Sequence, residues 1–169
     1  MNRMQDCIIK AKLRANEIEL PFQQDVSFIV NSRFTNAKGR CDYNLYNKNC
    51  VIQLSKLMLE HCDEEEIINT ICHELIHTLP QCRNHGHIFQ NWCQKFNQKF
   101  NMNMATRYKI TDQSEAYQKA QKMSSRARQE KKFLVTCLNC GKTFRRARKL
   151  NPDNYRCSSC HGNLKIERI

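Results

Sequence analysis

The sequence has no run of eighteen apolar residues, so nothing in it reads as a membrane-spanning helix. Its opening, MNRMQDCIIKAKLRANEIEL, sets charges into every turn where a secretory leader needs an unbroken apolar core. The protein is therefore expected to be soluble and intracellular: cytoplasmic or nucleoid-associated in a bacterium, nuclear in a eukaryote. Internal repeats and low-complexity tracts are also absent, which sets aside a repeat architecture. Glycine and proline are scarce, four and three in 169 residues, so each one that occurs marks a break worth reading.

The last third lacks acid. Residues 105–169 carry 16 Lys and Arg against 5 Asp and Glu, whereas residues 1–104 carry 12 against 11, so nearly all of the net charge of +12 lies in the tail. Two bound Zn²⁺ and four thiolates would leave that total unchanged. A basic third of this kind points to a polyanionic partner, nucleic acid before a membrane surface. The length suits one ordinary domain with a small appendage, or two modest domains.

Cysteine is what the chain does have: eleven residues, an odd number, four of them in two C-x-x-C pairs. That usage fits bound metal in a reducing compartment better than a disulfide framework. The other seven (Cys7, Cys41, Cys50, Cys62, Cys72, Cys82 and Cys93) read as small buried hydrophobes, with Cys82 held open because it follows a histidine motif.

Along the chain, residues 4–18 space their apolar positions by three and four and predict an amphipathic helix ended by Pro21. Residues 26–30, 39–46 and 50–54 predict three short strands of one sheet, the last pair antiparallel around a polar "NKN" turn. Ser55 caps a short helix. Asp63 and three glutamates open a long one over residues 63–79, where acids favour the positive end of the helix and Pro80 provides the stop. Its buried side is Ile67, Ile68, Ile71, Leu75 and Leu79. A further helix begins in "HGHIFQNWCQKFNQKF" with Phe89, Trp92, Cys93, Phe96 and Phe100 as core. Residues 113–132 predict an exposed, basic linker helix or a flexible tether.

The long helix carries H-E-x-x-H as "HELIH". His73 and His77, four apart, share one face and can grip one zinc ion, with Glu74 turned toward its open side. Catalytic zinc wants a third protein ligand, and His85 and His87 in "HGHIF" compete for that place; Glu115 is a more distant candidate. Zinc lowers the pKa of bound water to about 7, and Glu74 can take that water's proton and pass it to a leaving amine. Arg83, His87 or Tyr108 could assist as a second electrophile.

"HELIH" followed by "HGHIF" resembles the SprT-like family of zincins, whose pattern is H-E-x-x-H, a variable loop, then H-G-x-x-aromatic. The resemblance assigns the third ligand to His85, with Gly86 and Phe89 in register, and implies an α+β zincin-like metalloprotease domain of helices on a small sheet. In proteases of this architecture the substrate lies extended along a sheet edge, which makes the 50–54 strand the candidate platform.

"CLNC" and "CSSC" give C-x₂-C-x₁₆-C-x₂-C, the spacing of a closed Cys₄ zinc site at Cys137, Cys140, Cys157 and Cys160. A segment this short cannot fold on its own core, and metal supplies the missing stability. Between the pairs, Arg145, Arg146, Arg148 and Lys149 form a candidate nucleic-acid contact, while Phe144 and Tyr155 read as the ribbon's miniature core. The reading is a zincin-like domain over 1–112, a basic linker over 113–132 and a zinc ribbon over 133–169. Its expected cofactors are one catalytic and one structural Zn²⁺. As the family resemblance implies, its expected function is that of a DNA-associated zinc endopeptidase acting on DNA-bound or DNA-crosslinked proteins. The expected nucleic acid is single-stranded DNA or DNA with unpaired regions, and no membrane partner is expected. The competing reading is a non-catalytic, zinc-containing nucleic-acid-binding protein.

Overall fold

The computed structural model describes residues 3–44, 49–106 and 114–169, and of residues 126–129 it describes the backbone only. The chain is a mixed α+β protein of two units, Met1–Gln121 and Lys122–Ile169. Among the described residues, no helix is long and apolar enough to cross a membrane.

In the first unit, α1 (Arg3–Glu17) turns Cys7, Ile8, Ala11 and Ala15 inward against α3 (Glu64–Ile76). The two alanines are fully buried, and their small side chains let the helix backbones approach closely. Charges at the rim fix the pairing: Lys10 binds Glu64, and Arg14 grips Glu65 with two bonds of 2.7 and 2.8 Å. The glutamates thus serve twice, since they also sit at the positive start of α3, where the Asp63 carboxylate caps the Glu66 N–H at 2.7 Å.

The sheet contains β1 (Ser27–Asn31), β2 (Gly39–Tyr43) and β3 (Cys50–Ser55) in the order β1-β3-β2, with β1 parallel and β2 antiparallel to β3. The expected antiparallel last pair is present. The 50–54 strand, however, is the middle of the sheet and not an edge. Its residues alternate fully buried Cys50, Ile52 and Leu54 with half-buried Val51 and Gln53, and both sides of its backbone are already paired. The edge strand that packs against α3 is β2. Part of the "NKN" turn and the end of the 39–46 segment lie outside the described residues, as does Tyr108.

Ser55 caps α2 (Lys56–His61), as its sequence predicts. Helix α3 stops at Ile76, earlier than the expected 79: His77 is its cap, Thr78 and Leu79 bond back to Leu75 and Ile76, and a 3₁₀ turn follows over Pro80–Cys82. The chain re-enters a helix at α4 (His87–Phe100), which buries Phe89, Cys93 and Phe96. The linker segment is helical too, α5 (Glu115–Gln129), but it is not simply exposed. Tyr117 is fully buried in the first unit's core, with the Lys38 ammonium 5.4 Å from its ring centre and Lys38 also paired with Glu66.

The second unit is a three-stranded antiparallel sheet, β4 (Phe133–Cys137), β5 (Thr143–Arg146) and β6 (Leu164–Arg168), in the order β5-β4-β6. Among the described residues its buried core is Val135, Cys137, Leu150, Cys157 and Leu164, with half-buried Cys160 and Ile166 packed against it.

Candidate functional site

Helix α3 and the turn after it bring three histidines together. The Nε2 atoms of His73, His77 and His85 stand 3.1 to 3.3 Å apart. Nitrogens bound about 2.0–2.1 Å from a tetrahedral zinc would stand about 3.3 Å apart, so the donor set has the spacing a single ion requires. Phe89, wholly buried on α4, forms the floor, its ring centre 4.6 to 4.8 Å from each imidazole.

The tautomers favour the same use. His77 Nδ1 lies 2.6 Å from the carbonyl oxygen of Cys82 and donates its proton there, which leaves the bare Nε2 lone pair aimed at the cluster. Cys82 therefore matters through its backbone; burial pushes its thiol pKa up. Burial, then the neighbouring imidazoles of His77 and His85, hold His73 down at about 3, and burial also lowers His77. Both are neutral at physiological pH, the form that ligates. His73 Nδ1 is buried without a hydrogen-bond partner among the described residues.

Glu74 is buried at the inner wall of a cavity of about 420 Å³ that also takes in the three imidazoles. Burial raises its carboxyl pKa to about 8, against the pull of a bond from the Cys41 backbone. The wall beside Glu74 is β2. Gly39, Cys41 and Tyr43 line the cavity, and so does Arg83 from the end of the 3₁₀ turn. Of the expected helpers, Arg83 thus lines the cavity, while His87 opens α4 outside the three-histidine group. Glu115 is exposed at the start of α5 and joins no such group. Gly39 and Tyr43 are the site residues that sequence reasoning missed, because only the strand order reveals which strand faces Glu74.

In the second unit the sulfurs of Cys137, Cys140, Cys157 and Cys160 converge, with Cys137 Sγ 3.4 Å from Cys160 Sγ and Cys140 Sγ 3.7 Å from Cys157 Sγ. Tetrahedral zinc at about 2.3 Å from each sulfur would set them about 3.8 Å apart. Backbone N–H groups of Ser159 and Cys160 draw the Cys157 thiol down to about 6, and that of Gly162 lowers Cys160. Gly141 takes the left-handed φ of +70° that the first knuckle needs. In the second knuckle His161 adopts that conformation instead, φ 56°; Gly162 is needed for close packing, since a Cβ there would stand 2.5 Å from Asn139 Cβ.

Phe144 and Tyr155 are not the ribbon's core. They are 45% and 54% exposed and line a surface pocket of about 220 Å³. Alternation along β5 puts Phe144 and Arg146 on one face, and both line this pocket, together with Lys142 and Arg156. Arg145, Arg148 and Lys149 are exposed beside them.

Fold and site together define a mixed α+β protein with two groups of side chains spaced to hold a metal ion, one of three imidazoles beside a buried carboxyl and one of four thiols. The SprT-like family model matches residues 4–112. Protein SprT-like of Bacillus subtilis (strain 168) is 30% identical over 146 residues, covering 86% of this chain and 84% of that protein. Protein SprT-like of Geobacillus kaustophilus (strain HTA426) is 29% identical over 147 residues, covering 86% of each. The chain belongs to the SprT-like family.

Proposed function

We propose that this chain is a zinc-dependent endopeptidase of zincin type, directed by a zinc ribbon to proteins bound or crosslinked to DNA. The observation that carries the reading is the convergence of three imidazole nitrogens beside a buried glutamate, in a cavity walled by an edge strand.

His73, His77 and His85 would hold the catalytic ion, and Zn²⁺ there supplies an acidified water and a Lewis acid for the scissile carbonyl. Glu74, favoured in its carboxylate form by a cation bound beside it, would then take the water's proton and deliver it to the leaving amine. Strand β2, with one edge paired to β3, offers its other edge to an extended peptide, which main-chain hydrogen bonds would hold across the cavity. Phe89 locks the three rings from below, so the ligand set is preorganised.

Cys137, Cys140, Cys157 and Cys160 would hold the structural ion. The ribbon's exposed cations neutralise phosphates, and the pocket of Phe144 and Tyr155 suits an unpaired base stacked beside Arg146. That chemistry favours single-stranded DNA or DNA with unpaired regions.

The test is proteolysis of a DNA-binding protein with and without single-stranded DNA, alongside Glu74→Gln. Cleavage that requires both Glu74 and DNA supports the whole reading. A zinc-loaded protein that binds DNA but cuts nothing would replace it with a non-catalytic binding role.

A further inference from the structure

The cavity beside Glu74 contains two arginines in different states. Arg40 is bonded through Nε to Asp42 at 2.5 Å, so its charge is already answered. Arg83 is not. Its guanidinium carbon lies 4.2 Å from the centre of the Tyr43 ring, and it makes no ion pair with any described carboxylate.

Stacking on Tyr43 does two things. It holds a long side chain in one pose, removing most of the rotamer entropy that binding would otherwise cost. It also uses none of the guanidinium's hydrogen-bonding capacity, and the Arg83 side chain, which lines the cavity, donates to no described residue. A planar fork of this kind matches a planar carboxylate by two parallel hydrogen bonds. Tyr43 ends β2, the strand along which an extended peptide would lie, and Arg83 follows the Cys82 carbonyl that orients His77. The cation is thus tied to both the edge strand and the turn beside the histidines.

We propose that Arg83, stacked on Tyr43, is a specificity residue that binds a carboxylate of the peptide occupying this cavity, an inference that rests on the peptidase reading for the path of the peptide. The carboxylate belongs to an Asp or Glu side chain or to a free C-terminus; the two share one chemistry and are separable by experiment.

The test measures binding to zinc-loaded Glu74→Gln protein of two matched decapeptide pools, one containing Glu where the other has Gln, each with free and amidated C-termini. The Glu pool or the free-C-terminus pool should bind about tenfold more tightly than its neutral counterpart. Arg83→Ala should abolish that difference with zinc content unchanged, and Arg83→Glu should reverse it in favour of a Lys pool. Loss on amidation identifies the C-terminus; persistence identifies the side chain. A preference, for Glu over Gln or for the free over the amidated C-terminus, that survives undiminished in Arg83→Ala overturns the assignment. So does equal binding of all pools, no binding of any, or an Arg83 dependence seen only with a single-stranded oligonucleotide. Failure of the peptidase reading looks different: protein with Glu74 intact would bind the acidic pool through Arg83 and cut none of it.

Discussion

Gly39 stands directly against Glu74. A Cβ on this glycine would meet Glu74 Cγ at 2.9 Å and Oε1 at 3.0 Å, with Thr70 Cγ2 also at 3.0 Å. The edge strand can reach the helix only because position 39 has no side chain, and two residues later the Cys41 backbone bonds the same carboxyl.

Gly39→Ala should therefore displace Glu74 and strain the contact between β2 and α3. We expect a loss of about 1–3 kcal/mol in urea unfolding, as for overpacked cores. Cleavage of any accepted peptide should fall mainly through kcat, with zinc content retained.

His85→Ala should strip metal from the first centre, and His87→Ala should leave it in place. Metal analysis after dialysis reads this directly: a total of one ion per chain for the first variant and two for the second. The reverse result would move the third ligand to His87.

The buried carboxyl gives a pH signature in metal-free protein. Glu74 titrates near 8 when folded and near 4.5 when unfolded, so between those values the folded state holds a proton that the unfolded state has lost. Its contribution to stability must then decline as pH rises through that window. Glu74→Gln should thus match the unaltered protein below pH 4.5 and become progressively more stable than it toward pH 8. Parallel urea melts at four pH values would show the curves separating; curves that stay parallel would contradict the burial of Glu74.

Replacing Arg145, Arg146, Arg148 and Lys149 with alanine should weaken binding to single-stranded DNA and flatten its salt dependence, by about 0.7 in log–log slope for each phosphate that is no longer neutralised. Titrations at several salt concentrations measure the slope. An unchanged slope would exclude these side chains as the DNA-binding surface.

Much of the site was legible because its signals are local. Helix α3 announces itself through Asp63, the three glutamates and the isoleucine spacing, and a helix fixes where His73 and His77 lie relative to each other. Two C-x-x-C pairs likewise define the group of four thiols in the second unit. Strand order is not local. Periodicity marks β1, β2 and β3 as strands but says nothing about which lies between the others, and so the 50–54 strand was expected at the edge that β2 occupies. Exposure in a small unit is equally hard to read: Leu150 and Val135 fill the ribbon's interior, leaving Phe144 and Tyr155 outside. Tyr117 was missed for the opposite reason, a lone core residue in a polar, basic stretch.

That tyrosine bears on how the protein can be dissected. The family match ends at residue 112, yet the first unit's interior is completed five residues later by Tyr117, and the unit itself runs to Gln121. A fragment cut where the family model's match ends would carry every residue of the three-histidine centre and still expose the apolar surface that Tyr117 covers. The end of the family model's match and the end of the compact unit thus differ by about two helical turns, and a piece cut at the second keeps the tyrosine that closes the core.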